Sequence, residues 1–381
     1  MHRHTFRRDA RVLGAALLMF GWAVLETPAR EQAPSSAGRS SVPGLAPGAR
    51  VMLDAHNAYP YNGRYVDRID RALATGLPVA IEQDLVWRPA GEGRPARSIV
   101  SHGEPYDGTE PSLRDYFFER IRSVVEQALK AGNQSNWPLV TLNLDLKSNE
   151  PEHHRALWDL LGEYESWLTT AERTDGSRAA TLDVRPVLVL TGEADAQEQA
   201  FYDAVPVGGK LRLFGAIALR PPSVEGMSRE ESLVKFRAEL PERPLPRATN
   251  YRRWLNAPWA VVEAGGQANA ADWTPQEEAR LRTVVRRAHD AGLWIRLWTL
   301  NGHPAGEEKE AGWTTSYNVG SKEAVERRWR AAIVAGADFV ATDQYEAFAA
   351  VLKDEGRRPA APERRMRGAQ RARSASRAVI R

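Results

Sequence analysis

Val79-Ala80-Ile81-Glu82-Gln83-Asp84 is an apolar, β-branched run that ends in two acids. Side chains two apart in a strand share a face, so Glu82 and Asp84 point together. The same design stands upstream in Val51-Met52-Leu53-Asp54-Ala55-His56-Asn57 and downstream in Leu142-Asn143-Leu144-Asp145-Leu146-Lys147. Working outward, the pattern predicts strands near 50–56, 79–86, 138–146, 185–191, 211–219, 259–264, 293–300 and 338–342. Helical spacing falls between them over Val66–Ala74, Leu113–Ala131, residues 228–239, Glu277–Ala291 and Lys322–Ala335. Several of these runs stop at a glycine (Gly76, Gly132, Gly292, Gly336), the residue that takes the left-handed C-cap without a Cβ penalty. Eight strand–helix units in one chain predict an α/β fold, a single closed (β/α)8 barrel of TIM type. The rival, a doubly wound open sheet, lacks the glycine-rich phosphate loop expected after its first strand.

In such a barrel the carboxyl ends of the strands form the mouth where catalytic residues gather. The first three strands bring His56, Asn57, Glu82, Asp84, Asp145 and Lys147 there, and Ile99-Val100-Ser101-His102-Gly103 adds a second histidine. Burying the acids together without a cation is unfavourable, and carboxylate oxygens suit a hard divalent ion. One Mg²⁺ or Ca²⁺ (Mn²⁺ stays open) is therefore expected on Glu82, Asp84 and Asp145. Zinc is disfavoured because Asp54-Ala55-His56 lacks the first histidine of a His-x-His pair. Asn57 and, further along, Trp298 and Asn301 are candidate substrate contacts, and Glu263 and Arg220 candidate pocket residues. His153, His154 and His289 read as outer-surface positions on helices. His303 sits in a loop past a strand end, and Tyr59-Pro60-Tyr61 follows the first strand as a loop or lid.

The 381 residues include no cysteine, which excludes disulfides, thiolate nucleophiles and cysteine-held metals. The formal charge of +3 divides unevenly. Residues 1–30 carry five arginines against two acids, residues 357–381 nine arginines against one acid, and residues 31–356 a net −8. The acidic body argues against a nucleic-acid surface there. A basic start, the apolar run Val12–Leu25 and Thr27-Pro28-Ala29 predict an export signal over 1–29, with an N-terminal anchor as the alternative. Residues 30–48 read as a flexible linker and 49–356 as the barrel. The stretch 357–381 reads as a disordered arginine-rich tail able to meet anionic lipid.

The series His56, Glu82-x-Asp84, His102 and Asp145-x-Lys147 resembles the active site of the phospholipase-C-like phosphodiesterase superfamily. That group includes glycerophosphodiester phosphodiesterases, phosphatidylinositol-specific phospholipases C and sphingomyelinase-D-like enzymes. The segments Ala291–Asn301 and Gly336–Asp343 resemble its seventh and last strands. The resemblance implies a metal-dependent phosphoric diester hydrolase, with His56 and His102 as acid–base pair, Lys147 assisting, and a cyclic phosphate on the path. Its substrate would be a phospholipid, of the phosphatidylinositol kind, or a glycerophosphodiester. Glycerophosphodiesterases have His-Arg where this chain has His56-Asn57, and metal-free phospholipases C lack the three acids. Two alternatives stay open: a sphingomyelinase-D-like lyase or phosphotransferase, and a barrel that binds polyol phosphates or lipid without turnover.

Overall fold

A computed structural model describes residues 45–357 except 62, 92, 177, 222–224, 265–271, 299 and 308–317. The predicted export signal, most of the predicted linker and the arginine-rich stretch beyond Arg357 lie outside the described residues. Eight strands form the barrel: β1 Met52–Ala55, β2 Val79–Arg88, β3 Val140–Leu146 and β4 Val187–Thr191, then β5 Phe214–Ala218, β6 Arg252–Pro258, β7 Trp294–Trp298 and β8 Phe339–Thr342. Each pairs in parallel with its neighbours in chain order, and β8 pairs with β1, so the sheet closes. This is the (β/α)8 barrel that the sequence predicts.

The helices are α1 Arg68–Ala74, α2 Glu119–Ala131, α3 Pro151–Glu163, α4 Asp195–Glu198, α5 Arg229–Glu239, α6 Pro275–Asp290, α7 Lys322–Ala335 and α8 Tyr345–Arg357. Capping chemistry fixes several starts. Ser228 accepts from Glu231 N and Thr274 accepts from Glu277 N, each with a returning glutamate, while Pro151 and Pro275 open their helices. Gly132 and Gly336 close α2 and α7 in the left-handed region. A short strand Arg97–Val100 folds back antiparallel on the far half of β2, and three short strands form a side sheet.

The sixth strand is a correction. It occupies Arg252–Pro258, and the apolar run after it forms a short 3-10 turn, Trp259–Val261. Trp259, Val261 and Val262 are fully buried, so they carry the composition of a strand without lying in the sheet. The π-helical turn Arg114–Phe118 also leads into α2, where the spacing predicts one continuous helix.

Alternation along the strands stacks the barrel interior in layers. The lowest is apolar: Met52, Ala80, Leu188, Phe214, Trp254, Trp294 and Phe339 belong to one buried cluster with Leu45 and Trp137. Trp294 donates its indole N–H to Leu45 O at 2.8 Å, and Gly48 N donates to Asp338 at 2.7 Å. Leu45 and Gly48, which the sequence reading places in the linker, are thus packed against the barrel. Two residues higher, the inward positions turn polar: Asp54, Glu82, Asn143, Asn256 and Arg296. Two higher again stand His56, Asp84, Asp145, Trp298 and Asp343. The second large cluster, with Phe117, Phe118, Trp259 and Trp329, fills the space between sheet and helices.

Candidate active site at the barrel mouth

Arg296 organises the polar layer. Its Nε donates to Asp54 Oδ2, its Nη2 to Glu82 Oε1 at 2.9 Å and its Nη1 to Asn256 at 3.3 Å. Burial would lower the Arg296 pKa, but the carboxylates of Asp54 and Glu82 raise it overall. Glu82 gains from the same contact. Burial would raise its pKa, yet Arg296, then His56 and the Asn57 amide, hold it at about 2. Glu82 is therefore ionised at 3 % exposure.

His56 leaves the end of β1 with its Nδ1 2.9 Å from Asp343 Oδ1 and its Nε2 3.4 Å from Glu82 Oε2. A carboxylate only accepts, so Nδ1 is the donor. Burial acts to lower this histidine, but Glu82 and Asp343 outweigh it and lift the pKa to about 9. Asn57 sits in the left-handed region (φ 52°), a conformation asparagine tolerates. That turn aims its N–H at Glu82 Oε2 over 3.0 Å, while its Oδ1 accepts from Tyr59 at 2.7 Å and its carbonyl from Arg68 at 2.8 Å. Asn301 lies behind Asp343. Its Nδ2 donates to Asp343 Oδ2, and its Oδ1 accepts from Asp343 N at 2.9 Å and from Thr342 at 2.9 Å. It is fully buried, so its amide holds Asp343 in place.

On the other side of the mouth Lys147 Nζ lies 2.6 Å from Asp145 Oδ2 and 3.1 Å from Asp84 Oδ2. Burial lowers the lysine, and Asp84 and Asp145 more than restore it. Asp84 is pushed well above the usual carboxylate range, first by burial, then by Asp145 and Glu82. Glu82, Asp84 and Asp145 each offer one ligand oxygen, all within 4.8 Å of one another. Five carboxyl groups (Asp54, Glu82, Asp84, Asp145, Asp343) and three cations (His56, Lys147, Arg296) are joined here by ion pairs. Asp54 Oδ1 is buried without a hydrogen bond among the described residues. Three converging oxygens, all from carboxyl groups and two of those groups buried, make a hard donor set that suits a divalent cation, so this group could hold one.

His102, from the loop after the antiparallel strand, is exposed and stacks on Tyr59 with ring centroids 6.5 Å apart. Burial, then Lys147 and, further down, His56, lower its pKa, with Asp145 and Glu82 opposing. The ring thus feels the charges of the acidic group and gives up its proton at lower pH than His56 does. Trp298 is half-buried at the rim and its indole N–H is enclosed without a hydrogen-bond partner among the described residues.

Other candidates lie elsewhere. Glu263 is not in a pocket: it is fully buried outside the barrel, where it accepts from Trp259 Nε1 and, at 2.7 Å, from Arg328 Nε of α7. Arg220 is exposed and pairs with Glu193 at 2.7 Å. His153 and His154 are buried, not outer-surface residues, because they fall on the inward face of α3 with Leu157 and Leu161. His153 sits between Ser98 (2.9 Å) and Ser148 (3.0 Å) and stacks on Trp87. His289 is half-buried and bonds to Asp338 at 2.9 Å. Asp343 and Arg296 carry roles that the sequence reading did not assign. Both stood in quoted strands, Arg296 on the same face as Trp298 and Asp343 directly after β8, which closes on β1.

No family model matches the chain, and no curated protein matches it. It is similar in fold to a glycerophosphoryl diester phosphodiesterase from Parabacteroides distasonis (11% identity, 82% of this chain and 89% of that one, TM-score 0.37). It is similar also to a calcium-dependent phosphoinositol-specific phospholipase C from Pseudomonas sp. (13% identity, 80% and 91%, TM-score 0.40). A third likeness is to an HPPK-DHPS variant from Plasmodium falciparum (9% identity, 81% and 47%, TM-score 0.38). The architecture itself rests on the closed strand order. Among the described residues no helix is long and apolar enough to cross a membrane.

Proposed function

We propose that the chain is a metal-dependent phosphoric diester hydrolase of the phospholipase-C-like superfamily. One observation carries the reading: a three-carboxylate group at the barrel mouth lies beside two histidines, one held between Glu82 and Asp343 and the other at the exposed rim with its pKa shifted the opposite way. Phosphodiester cleavage needs a proton acceptor, a proton donor and relief of charge on the phosphoryl oxygens. Neutral His102 takes the proton from the attacking hydroxyl. Cationic His56, oriented through Nδ1 by Asp343, presents Nε2 to the leaving alkoxide and protonates it. Glu82, Asp84 and Asp145 would hold a divalent cation, Mg²⁺ or Ca²⁺, which supplies Lewis acidity toward a phosphate oxygen. Lys147 adds a second positive charge on the same side. Trp298, with its unpartnered N–H, contacts the substrate, while Asn57 and Asn301 keep His56 and Asp343 in register.

The substrate in this reading is a phospholipid with a polyol head group or its deacylated glycerophosphodiester, met outside the cell. The arginines after residue 357 add electrostatic attraction to anionic lipid. The test is a panel of phosphodiesters assayed with and without chelator, with products resolved. Turnover that disappears with chelator, returns with Mg²⁺ or Ca²⁺ and is lost in His102→Ala supports the reading. A cyclic product without its hydrolysis would make the enzyme a lyase. No turnover of any member at saturating cation overturns catalysis in favour of a binding barrel.

A further inference from the structure

A groove of about 760 Å³ runs along the outside of the barrel between α3 and the segment Asp195–Asp203. Pro151, His154, Arg155 and Trp158 line it from α3, at the three- and four-residue spacing that shares one helix face. The opposite wall carries small side chains, Ala196, Ala200 and Ala204, and Phe201 from the same segment stacks on the Trp158 indole at 6.1 Å. Residues Gln199–Asp203 wind as a π-helical turn, an element that is frequent at functional sites. The back wall is rigid: Thr191 donates to Gln197 (2.8 Å), and Gln197 donates to Asn149 (2.9 Å), which His154 also contacts (3.3 Å).

The charge of the groove is opposite to that of the body. Lys210 and Arg212 both pair with Glu165, at 2.8 Å each, and the Arg212 guanidinium lies 4.6 Å from the Trp158 ring centre. Arg155 lines the groove and forms no ion pair among the described residues. Three cations thus face one carboxylate, while residues 31–356 sum to −8. Apolar walls select for a chain or ring, and a local positive excess on an acidic surface selects for an anionic head.

We infer that this groove is a second binding site, separate from the barrel mouth, for a single-chain amphiphilic anion. The apolar part lies along Trp158 and Ala200, and the head group meets Arg155 and Lys210. The probe is dodecanoate below its micellar concentration, titrated calorimetrically into the full chain, with dodecyltrimethylammonium as the cationic control. Saturable one-to-one binding of dodecanoate alone is expected. Arg155→Glu and Lys210→Glu, both at exposed positions, should each weaken it about five- to tenfold. Ala200→Leu should weaken it by filling the groove, with circular dichroism checking that the variant is folded. Absence of saturable dodecanoate binding, equal binding of the cationic control, or full affinity in the Arg155→Glu/Lys210→Glu double variant each overturns the assignment. None of these outcomes bears on phosphodiester turnover, which uses other residues.

Discussion

His56 Nδ1 and Asp343 Oδ1 lie 2.9 Å apart although 287 positions separate them in the chain. Closure of the barrel creates the pair: β8 lies beside β1, and His56 N donates to Thr342 O at 3.1 Å. Asp343→Asn should therefore pull the His56 pKa down from about 9, since burial acts to lower it and one carboxylate is gone. Nuclear magnetic resonance titration of the ring reads this directly. Turnover in the same variant should fall about a hundredfold or more, the usual worth of a positioned acid.

Cation binding should move the same histidine in the same direction. A divalent ion on Glu82 places positive charge near His56 Nε2, which sits 3.4 Å from that carboxylate. Titration with Ca²⁺ or Mg²⁺ should lower the His56 pKa and raise the melting temperature of the protein. Asp84→Asn or Asp145→Asn should weaken the calorimetric affinity about tenfold or more.

Arg296 should behave as a buried ion-pair partner whose loss leaves charge behind. Arg296→Met strands Asp54 and Glu82 in the interior and should destabilise the fold by about 3–5 kcal/mol in urea unfolding. Adding Asp54→Asn to that variant should restore part of the loss, because one stranded carboxylate becomes neutral.

His153 sets an acid limit on stability. Burial holds its pKa at about 4, against an ordinary value of 6.5. Between those values the unfolded chain binds the extra proton, so stability rises with pH across the window and is lost as pH falls from 6.5 toward 4. The loss should reach about 3 kcal/mol. Urea midpoints at pH 7 and pH 4 measure it, and His153→Asn should flatten the slope.

The barrel was legible in the sequence because seven of its strands are apolar runs bounded by turns, from β1 with Met52–Ala55 to β8 with Phe339–Thr342. β6 was not, because it opens on Arg252 and Arg253 and ends on Pro258, while the strand-like run belongs to the turn that follows. Glu82, Asp84 and Asp145 were readable from two-residue alternation within single strands. Asp343 and Arg296 act across strands, through closure and through the barrel interior, and a linear pattern does not register such contacts. His153 and His154 were misplaced because residue type stood in for helix face. On α3 that face is fixed by Leu157 and Leu161.

The apolar floor has a further consequence. Trp254, Trp294, Phe214 and Phe339 seal the base of the barrel beneath the charged layers, with Leu45 packed among them. Among the described residues the base is thus filled by side chains, and the polar layers face the carboxyl ends of the strands, past a rim that includes Trp298 and His102. An ion or molecule taken up at the mouth would then enter and leave on the same side, so one occupant would delay the next.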